Sequence, residues 1–401
     1  MKQSDAPLSE ILLPSDKPVV DLLIIQPTPF CNLDCSYCYL PDRLNKNKLD
    51  PEILGKVIQN LLEEDLIEKS LSVVWHAGEP MVVKPDVFAQ YLEKIKSLLP
   101  PGISVNHSIQ TNGTLFDQSW CDLIKKFNIR MGVSIDGPDF IHDQKRVTRS
   151  GKGTHRQIME GIRLLQENKI DYHAIAVVSE GSLDYPDEIF RFFYENNFFL
   201  LGLNIEEVEG INTTSSINNG FTEQKVLVFL ERLFEIYSKS DGKMKIREFD
   251  NAATSMLRDP RVLDITKLDV VSHQLSPLAI ISVDYKGNFS TFSPELLGQN
   301  CEQYGNFIFG NVHFNRFKDV FHDSKFWEIH HEILHGIAKC KKECQYFPVC
   351  GGGPPSNKFY ENGTFNSTET MYCRNAIQKP VDIVLRDLER KLNPVPQLAS
   401  S

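Results

Sequence analysis

The 401-residue sequence predicts an α/β protein built around a parallel sheet. From residue 19 onward, short apolar runs alternate with amphipathic stretches in which apolar residues recur at the period of an α-helix. Strands and helices that alternate in this way are typical of a parallel sheet, because each parallel neighbour needs a crossover connection. The six predicted strands span residues 19–26, 71–76, 103–109, 129–135, 172–178 and 200–205.

Five predicted helices connect these strands, at residues 51–68, 84–99, 115–127, 154–168 and 184–196. About six βα units favour an open sheet or an incomplete barrel. In both folds the active site lies at the C-terminal ends of the strands. The loops at those ends, 27–46, 76–81, 110–114 and 134–153, carry the glycine-rich and polar clusters.

Beyond residue 210 the pattern changes. We interpret 211–220 as a polar linker or flexible loop and 221–238 as a helix. From 279 short strands and turns precede a cysteine-rich stretch and a helix at 381–392. The predicted organisation is an N-terminal extension (1–18), a core (19–210), a bridging segment (211–278), a cysteine-rich domain (279–392) and a disordered tail (393–401).

Composition and charge exclude several functional classes. The 43 Lys and Arg against 53 Asp and Glu leave a net charge of −10, which argues against a nucleic-acid partner. No apolar run reaches the length of about 18 residues that a membrane span needs. The first ten residues, MKQSDAPLSE, carry no secretory signal, so we expect a cytoplasmic protein without a membrane partner.

The nine cysteines fall mainly into two groups. A chain of this length can build a core without disulfides, and clustered thiols in a reducing compartment more often bind metal. Cys31, Cys35 and Cys38 form the first group, in the loop after the first strand. Three thiolates leave one iron of a [4Fe–4S] cluster open to a ligand. A zinc site is the alternative, and it would need a fourth ligand from another segment.

The peptide CNLDCSYC resembles the CxxxCxΦC signature of the radical S-adenosylmethionine (SAM) enzymes, with Tyr37 as the aromatic Φ. The resemblance implies a partial (β/α)6 radical SAM barrel. It also implies that SAM chelates the open iron and is cleaved by one electron. The resulting 5′-deoxyadenosyl radical would take a hydrogen atom from the substrate.

Three further loops resemble the SAM pocket of this family. HAGEP, with Gly78 and Glu79, is similar to the GGEP motif, and the turn QTNG contributes Asn112. Ser134 and Arg146 have the separation at which sulfatase-maturing enzymes hold SAM. The alternative interpretation is a set of ordinary turns with a solvated arginine.

The second group, Cys340, Cys344, Cys350 and Cys373, can close a [4Fe–4S] cluster completely, with a four-cysteine zinc site as the competitor. The region resembles the SPASM extension, which carries auxiliary clusters. It departs from the full pattern at Pro354, where that pattern has a cysteine, and at Cys301, where two are expected. We therefore expect one auxiliary cluster, with Cys301 and Cys121 unliganded.

The segments GGGPPSNKFYENGTFNSTETMYC, NIEEVEG and FSPELLG resemble glycine-rich-repeat (GRRM-type) maturases, which build cyclophanes in ribosomal peptides. The resemblance implies a precursor-peptide substrate, an electron donor such as flavodoxin or ferredoxin, and a crosslink from a Cβ to an aromatic ring.

In the same comparison, Glu295 lies near the position of a catalytic aspartate in sulfatase maturases, so it is a candidate base; a turn-capping glutamate is the alternative. The competing functions are formylglycine formation, thioether formation, or a zinc-stabilised binding module without catalysis.

Overall fold

A computed structural model describes residues 18–256 and 272–393. The predicted N-terminal extension and tail therefore lie, apart from one residue each, outside the described residues. Part of the predicted bridging segment is also outside them. The division of the chain into domains at 210 and 279 stays a prediction.

The described strands form one large sheet and one small hairpin. They are β1 Leu22–Ile25, β2 Ser70–Trp75, β3 Ser104–Thr111, β4 Arg130–Ser134, β5 Tyr172–Val178, β6 Leu200–Ile205, β7 Lys245–Ile246, β8 Ile280–Val283, β9 Asn288–Thr291, β10 Asn300–Cys301, β11 Gly305–Asn306 and β12 Gly310–Asn311. The large sheet has the order β12-β9-β8-β1-β2-β3-β4-β5-β6-β7, and β10 pairs with β11.

The first six strands lie within or beside the six predicted ranges and pair in chain order, all parallel. This confirms the α/β class and the mostly parallel sheet. In the described part of the chain β12 and β7 end the sheet without pairing to each other, so it stays open. All C-terminal ends of β1–β6 therefore lie along one edge.

Helices connect and cover the strands. They are α1 Pro51–Glu63, α2 Pro85–Leu98, α3 Gln118–Phe127, α4 Asp139–His142, α5 His155–Glu167, α6 Pro186–Glu195, α7 Gly220–Ser238, α8 Arg247–Met256, α9 Ser324–Glu343, α10 Phe347–Cys350, α11 Pro355–Asn362 and α12 Lys379–Leu392, with a π-helical segment at Cys373–Gln378. The sequence specifies their ends locally. The Asp50 side chain accepts a hydrogen bond from the N–H of Glu52 at 2.9 Å, and Pro51 occupies the first turn of α1.

Two features beyond residue 279 differ from the expectation of short strands and turns. Strand β8 pairs in parallel with β1, and β9 then pairs antiparallel with β8, so this region extends the core sheet. The 20-residue helix α9 was not predicted, although Phe326, Ile329 and Ile333 recur at helical spacing and are buried.

The loop at 211–220, predicted as a linker, packs against the core through Ile217, whose side chain is fully buried. The hydroxyl of Ser215 donates to the carbonyl of Glu206 at 2.6 Å. None of the described helices combines the length and the apolar character that crossing a membrane requires.

Candidate active site

The three thiols of the first cysteine group lie in the loop after β1. Burial raises the pKa of the Cys31 thiol to about 12, and Glu79, Cys35 and Cys38 add to the rise. Burial also raises the pKa of Cys35 to about 11, although Arg146 opposes the change. Cys35 and Cys38 both act on the Cys31 thiol, and Cys38 acts on Cys35, so the three thiols lie near one another. They would have to lose their protons to bind metal.

The chain after α4 holds this loop in place. The guanidinium of Arg149 donates to the carbonyl of Cys31 at 2.9 and 3.2 Å and pairs with Asp34 at 3.0 Å. The N–H of Asp34 donates to the carbonyl of Val147 at 2.8 Å. The loop is thus fixed by the backbone and by charged groups, and the thiols are left without a covalent partner.

Gly78 packs against the cysteine loop itself. Its φ is +60°, and a Cβ atom at this position would lie 2.3 Å from the carbonyl oxygen of Thr28 and 2.7 Å from that of Phe30. The close approach that requires glycine here is therefore an approach to the protein's own backbone.

The carboxylate of Glu79 connects the ends of two strands. Its side chain is 1% exposed and accepts hydrogen bonds from the Thr111 hydroxyl at 2.7 Å, the Asn112 N–H at 2.7 Å and the Met81 N–H at 2.9 Å. Burial raises the pKa of Glu79 to about 6, and the three donors limit the rise. Three donors satisfy most of the hydrogen-bonding capacity of this carboxylate.

Asn112 carries the connection on to the thiols. Its side-chain N–H donates to the Oδ1 of Asn32 at 2.8 Å and approaches the Sγ of Cys31 at 3.8 Å. Its Oδ1 accepts from the Thr114 hydroxyl at 2.7 Å. The predicted TNG turn therefore supports the first cysteine group directly.

Tyr37 and Arg146 meet at a residue that the sequence analysis did not select. The Nε of Arg146 donates to both oxygens of Asp136 at 3.0 and 3.1 Å, and the Tyr37 hydroxyl also donates to Asp136. The guanidinium carbon lies 5.3 Å from the centroid of the Tyr37 ring. Asp136 also accepts from the N–H of Val177 at 2.9 Å, so one buried carboxylate joins β4, β5 and the cysteine loop.

Ser134 takes a different partner. Its hydroxyl accepts a hydrogen bond from the side-chain amide of Gln110 at 2.8 Å. The structure thus links Tyr37, Glu79, Asn112 and Arg146 to the first cysteine group, while Ser134 lies at the same strand edge, paired with β3.

The second cysteine group lies where α9, α10 and the π-helical segment meet. Burial raises the pKa of Cys350 to about 11, and Cys373, Cys340 and Cys344 add to the rise, which places the four thiols near one another. The N–H of Gly352 donates to the Sγ of Cys350 at 3.4 Å. Gly353 has a φ of +73°, and a Cβ there would lie 3.5 Å from the Sγ of Cys373.

The two remaining cysteines lie elsewhere. Cys121 is fully buried in α3 within the apolar core. Cys301, in β10, accepts the N–H of Tyr304 at 3.3 Å. That both are unliganded stays a prediction.

A cavity of about 500 Å³ adjoins the second cysteine group. Its lining includes Cys350 and charged side chains, which are Glu207, Glu209, Glu248, Glu295 and Arg247. Apolar side chains also line the cavity, among them Val349, Tyr372, Ile377, Pro380 and Val381. The cavity therefore combines acidic groups with space for an apolar side chain.

Glu295 is incompletely satisfied in this cavity. Its Oε2 is shut off from solvent and has no hydrogen-bond partner among the described residues. Burial raises the pKa of Glu295. A buried carboxylate that has a raised pKa and an oxygen without a hydrogen-bond donor is suited to accept a proton.

Tyr39 follows Cys38 directly in the loop after β1 and is influenced electrostatically by two carboxylates of the cavity. Burial raises the pKa of its phenol, and Glu295, Glu209 and the Cys38 thiol add to the rise. The carbonyl of Tyr39 accepts from the side chain of Gln299 at 3.1 Å. Tyr39 was not predicted as a site residue, although its place directly after Cys38 is a signal that points to it.

Comparisons with known proteins identify the family. The sequence model of the Radical SAM superfamily matches residues 25–193. A protein of Synechocystis sp. is 45% identical over 379 residues, which cover 93% of each chain. The chain belongs to the radical SAM superfamily.

More distant relatives have named functions. The cysteine-type anaerobic sulfatase-maturating enzyme of Clostridium novyi is 26% identical over 371 residues, 89% of this chain and 93% of the relative. The structure "Native anSMEcpe with bound AdoMet and Cp18Cys peptide" has a TM-score of 0.74 at 20% identity, covering 92% of this chain and 98% of that chain.

The structure of Streptococcus suis SuiB bound to the precursor peptide SuiA has a TM-score of 0.62 at 17% identity. The match covers 88% of this chain and 76% of that chain. These structures share the fold of this radical SAM enzyme.

The donor set fits the cofactors of a radical SAM enzyme. Among the residues that the structure describes, no three His, Cys, Asp or Glu side chains come close enough together to hold a single metal ion. An iron–sulfur cluster makes a different demand, since each thiolate binds a different iron atom. Membership of an enzyme family makes the alternative of a binding module without catalysis wrong.

Proposed function

We propose that this radical SAM enzyme joins a Cβ carbon of a precursor peptide to the ring of a nearby aromatic residue, which forms a cyclophane. The observation that carries the proposal is the cavity that Glu295 and Cys350 line together with apolar side chains. Crosslinking of an aromatic ring requires room for the ring, a proton acceptor and an electron acceptor at one place.

The residues divide into three sets in this proposal. Cys31, Cys35 and Cys38 hold the cluster with the open iron, and Cys340, Cys344, Cys350 and Cys373 hold one auxiliary [4Fe–4S] cluster. Tyr37, Gly78, Glu79, Asn112, Ser134 and Arg146 shape the SAM site. When bound, the cofactors supply a 5′-deoxyadenosyl radical, which removes the Cβ hydrogen atom, and an acceptor for the electron lost as the ring regains aromaticity.

Glu295 takes the ring proton in this scheme. The new carbon–carbon bond forms at a ring carbon, and that carbon must then release its hydrogen as a proton. Glu295 lines the cavity, and its Oε2 has no hydrogen-bond partner in the described chain, so this oxygen has the capacity to accept the proton. Each crosslink therefore removes two hydrogens from the peptide.

Oxidation of a Cys or Ser to formylglycine is the second candidate. Its support is the similarity along most of the chain to sulfatase-maturating enzymes of Clostridium novyi and Bacteroides thetaiotaomicron. Against it, Pro354 and the single Cys301 leave fewer cysteines than two auxiliary clusters need. Thioether formation is a third candidate.

Isotope labelling distinguishes these products. A candidate precursor peptide, chosen from small open reading frames beside the gene, is co-expressed with the enzyme in cells fed with ring-deuterated Phe. The peptide is then sequenced by tandem mass spectrometry. A cyclophane loses one ring deuterium and one Cβ hydrogen. Formylglycine retains every ring deuterium and reacts with a hydrazide, and that result would overturn the proposal.

The matched control is the Cys35→Ala enzyme expressed with the same peptide. It should return the unmodified mass. A mass change that persists in this control would show that another protein of the host makes the product.

A further inference from the structure

Lys358 is a buried lysine beside the second cysteine group. It lies in α11, its side chain is 3% exposed, and its Nζ donates to the Sγ of Cys340 at 3.3 Å. Gly336 of α9 leaves room for the ammonium, because a Cβ at that position would lie 3.1 Å from Nζ and 2.4 Å from the carbonyl oxygen of Phe365.

An ammonium in this position needs a negative partner. Lysine is almost never fully buried unless it is paired, since the loss of hydration is costly. A protonated Cys340 thiol is neutral and offers little compensation. A Cys340 thiolate bound to iron is anionic, and it would supply the missing charge.

The hydrogen bond from Lys358 to the Cys340 sulfur should also change the reduction potential of a cluster bound there. A reduced cluster carries one more negative charge than an oxidised cluster with the same four thiolates. A cation and an N–H donor at one sulfur therefore stabilise the reduced state more than the oxidised state. Net charge, hydrogen bonds to sulfur and solvent exposure are the factors that set cluster potentials.

We propose that Lys358 is a positioning residue that raises the reduction potential of the auxiliary cluster held by Cys340, Cys344, Cys350 and Cys373. The inference rests on the auxiliary cluster of the proposed function. In that function one electron leaves the substrate radical as its ring proton passes to Glu295, and the cluster gains that electron. Lys358 makes this transfer more favourable.

The test is a redox titration of the auxiliary cluster alone. The full-length chain carries Cys31→Ala, Cys35→Ala and Cys38→Ala, so that the first cluster cannot contribute, and the midpoint potential is followed anaerobically by electron paramagnetic resonance. Lys358→Met should shift the potential to a more negative value. Lys341→Met is the matched control, because Lys341 is exposed and adjoins the same cysteine; its potential should stay unchanged.

Iron analysis separates the possible failures. A triple-alanine chain that binds no iron would overturn the auxiliary cluster itself. A bound cluster with the same potential in Lys358→Met would overturn only the role of Lys358.

If Lys358→Met binds no iron, Lys358→Gln replaces it, since the amide keeps an N–H donor without the charge. A more negative potential supports the proposal. An unchanged potential, or loss of iron in this variant as well, would give Lys358 a purely structural role.

Discussion

The surroundings of the two cysteine groups differ in how their buried carboxylates are satisfied. Near the first group, Glu79 accepts three hydrogen bonds, and Asp136 accepts from Arg146, Val177 and Tyr37. Beside the second group, the Oε2 of Glu295 has no partner in the described chain.

The difference suggests two roles for these carboxylates: those near the first cysteine group hold the structure together, and Glu295 beside the second group is available for the reaction. A fully satisfied polar network is rigid and has little capacity left for a substrate. A buried acceptor without a donor is costly and is kept where a ligand or a proton will use it. The buried cations of the two regions differ in the same way. Arg146 near the first group is paired with the carboxylate of Asp136, whereas Lys358 beside the second group donates to the sulfur of Cys340.

The largest expected effect comes from removing one thiol of each group. Cys35→Ala should abolish release of 5′-deoxyadenosine, because two thiolates do not retain a cluster with an open iron. Cys350→Ala should retain part of that release but lose the crosslinked product. Chromatography of the nucleoside and mass spectrometry of the peptide measure the two quantities. Equal loss of 5′-deoxyadenosine in both variants would remove the functional distinction between the groups.

Replacing one carboxylate of each region sharpens the comparison. Glu295→Gln should lower product formation about 100-fold or more, the usual contribution of a general base, and leave stability nearly unchanged. Glu79→Gln should lower the free energy of unfolding by about 1–3 kcal/mol, because an amide N–H₂ would face donors. Product assays and anaerobic thermal unfolding measure the two effects. If the Glu295→Gln enzyme gave the full product yield, Glu295 would be a turn-capping residue and not a base.

Two glycines with left-handed backbone test the close packing of the first loop. Gly363→Ala introduces strain of about 1–2 kcal/mol, since its φ is +74° and no atom lies within 4 Å of the added Cβ. Gly78→Ala adds the clash with the carbonyl of Thr28 and should cost more. The shifts in Tm and the iron content are measured together. Equal shifts in Tm for Gly78→Ala and Gly363→Ala would show that the cysteine loop moves away from the added Cβ atom at no cost in stability.

The smallest effect concerns pH and the cavity. Burial raises the pKa of Glu207 to about 7, above the value of about 4.3 in an unfolded chain. The folded state therefore binds this proton more tightly, and the stability that it contributes is full below about pH 4 and is lost as pH rises from there through 7. Glu207→Gln keeps an oxygen for the Asn357 side chain, which donates to Glu207 at 2.7 Å.

Relative to wild type, Glu207→Gln should thus be more stable at pH 8 by on the order of 1 kcal/mol and similar at pH 4. Thermal unfolding at both pH values measures the difference. Glu302→Gln, at an exposed carboxylate, is the control and should show no such pH dependence. A Glu207→Gln variant that is equally stable relative to wild type at both pH values would contradict the assignment.

Much of the strand-bearing half could be predicted because its signals are local. The apolar period of each strand and helix, and the spacing of Cys31, Cys35 and Cys38, are readable along the chain. The place of the cysteine loop at the strand edge followed from the rule for parallel sheets. Helix α9 also has an apolar period that is readable along the chain, although no helix was predicted there.

Other features depend on residues far apart in the chain. Strand β8 has four residues, and only its pairing with β1, some 250 positions earlier, makes it part of the core sheet. Asp136 is one carboxylate in an ordinary turn until Arg146 and Val177 lie against it. Lys358 became notable only when α11 placed it beside Cys340.

The sequence by itself determined the element pattern, the two thiol sets and the family, because these depend on spacing along the chain. The tertiary structure decided which charged groups are satisfied and which are left for chemistry. Whether a buried carboxylate, ammonium or thiol finds a hydrogen-bond or charge partner depends on its desolvation and on residues from distant segments. Neither can be read from the residues next to it in the sequence.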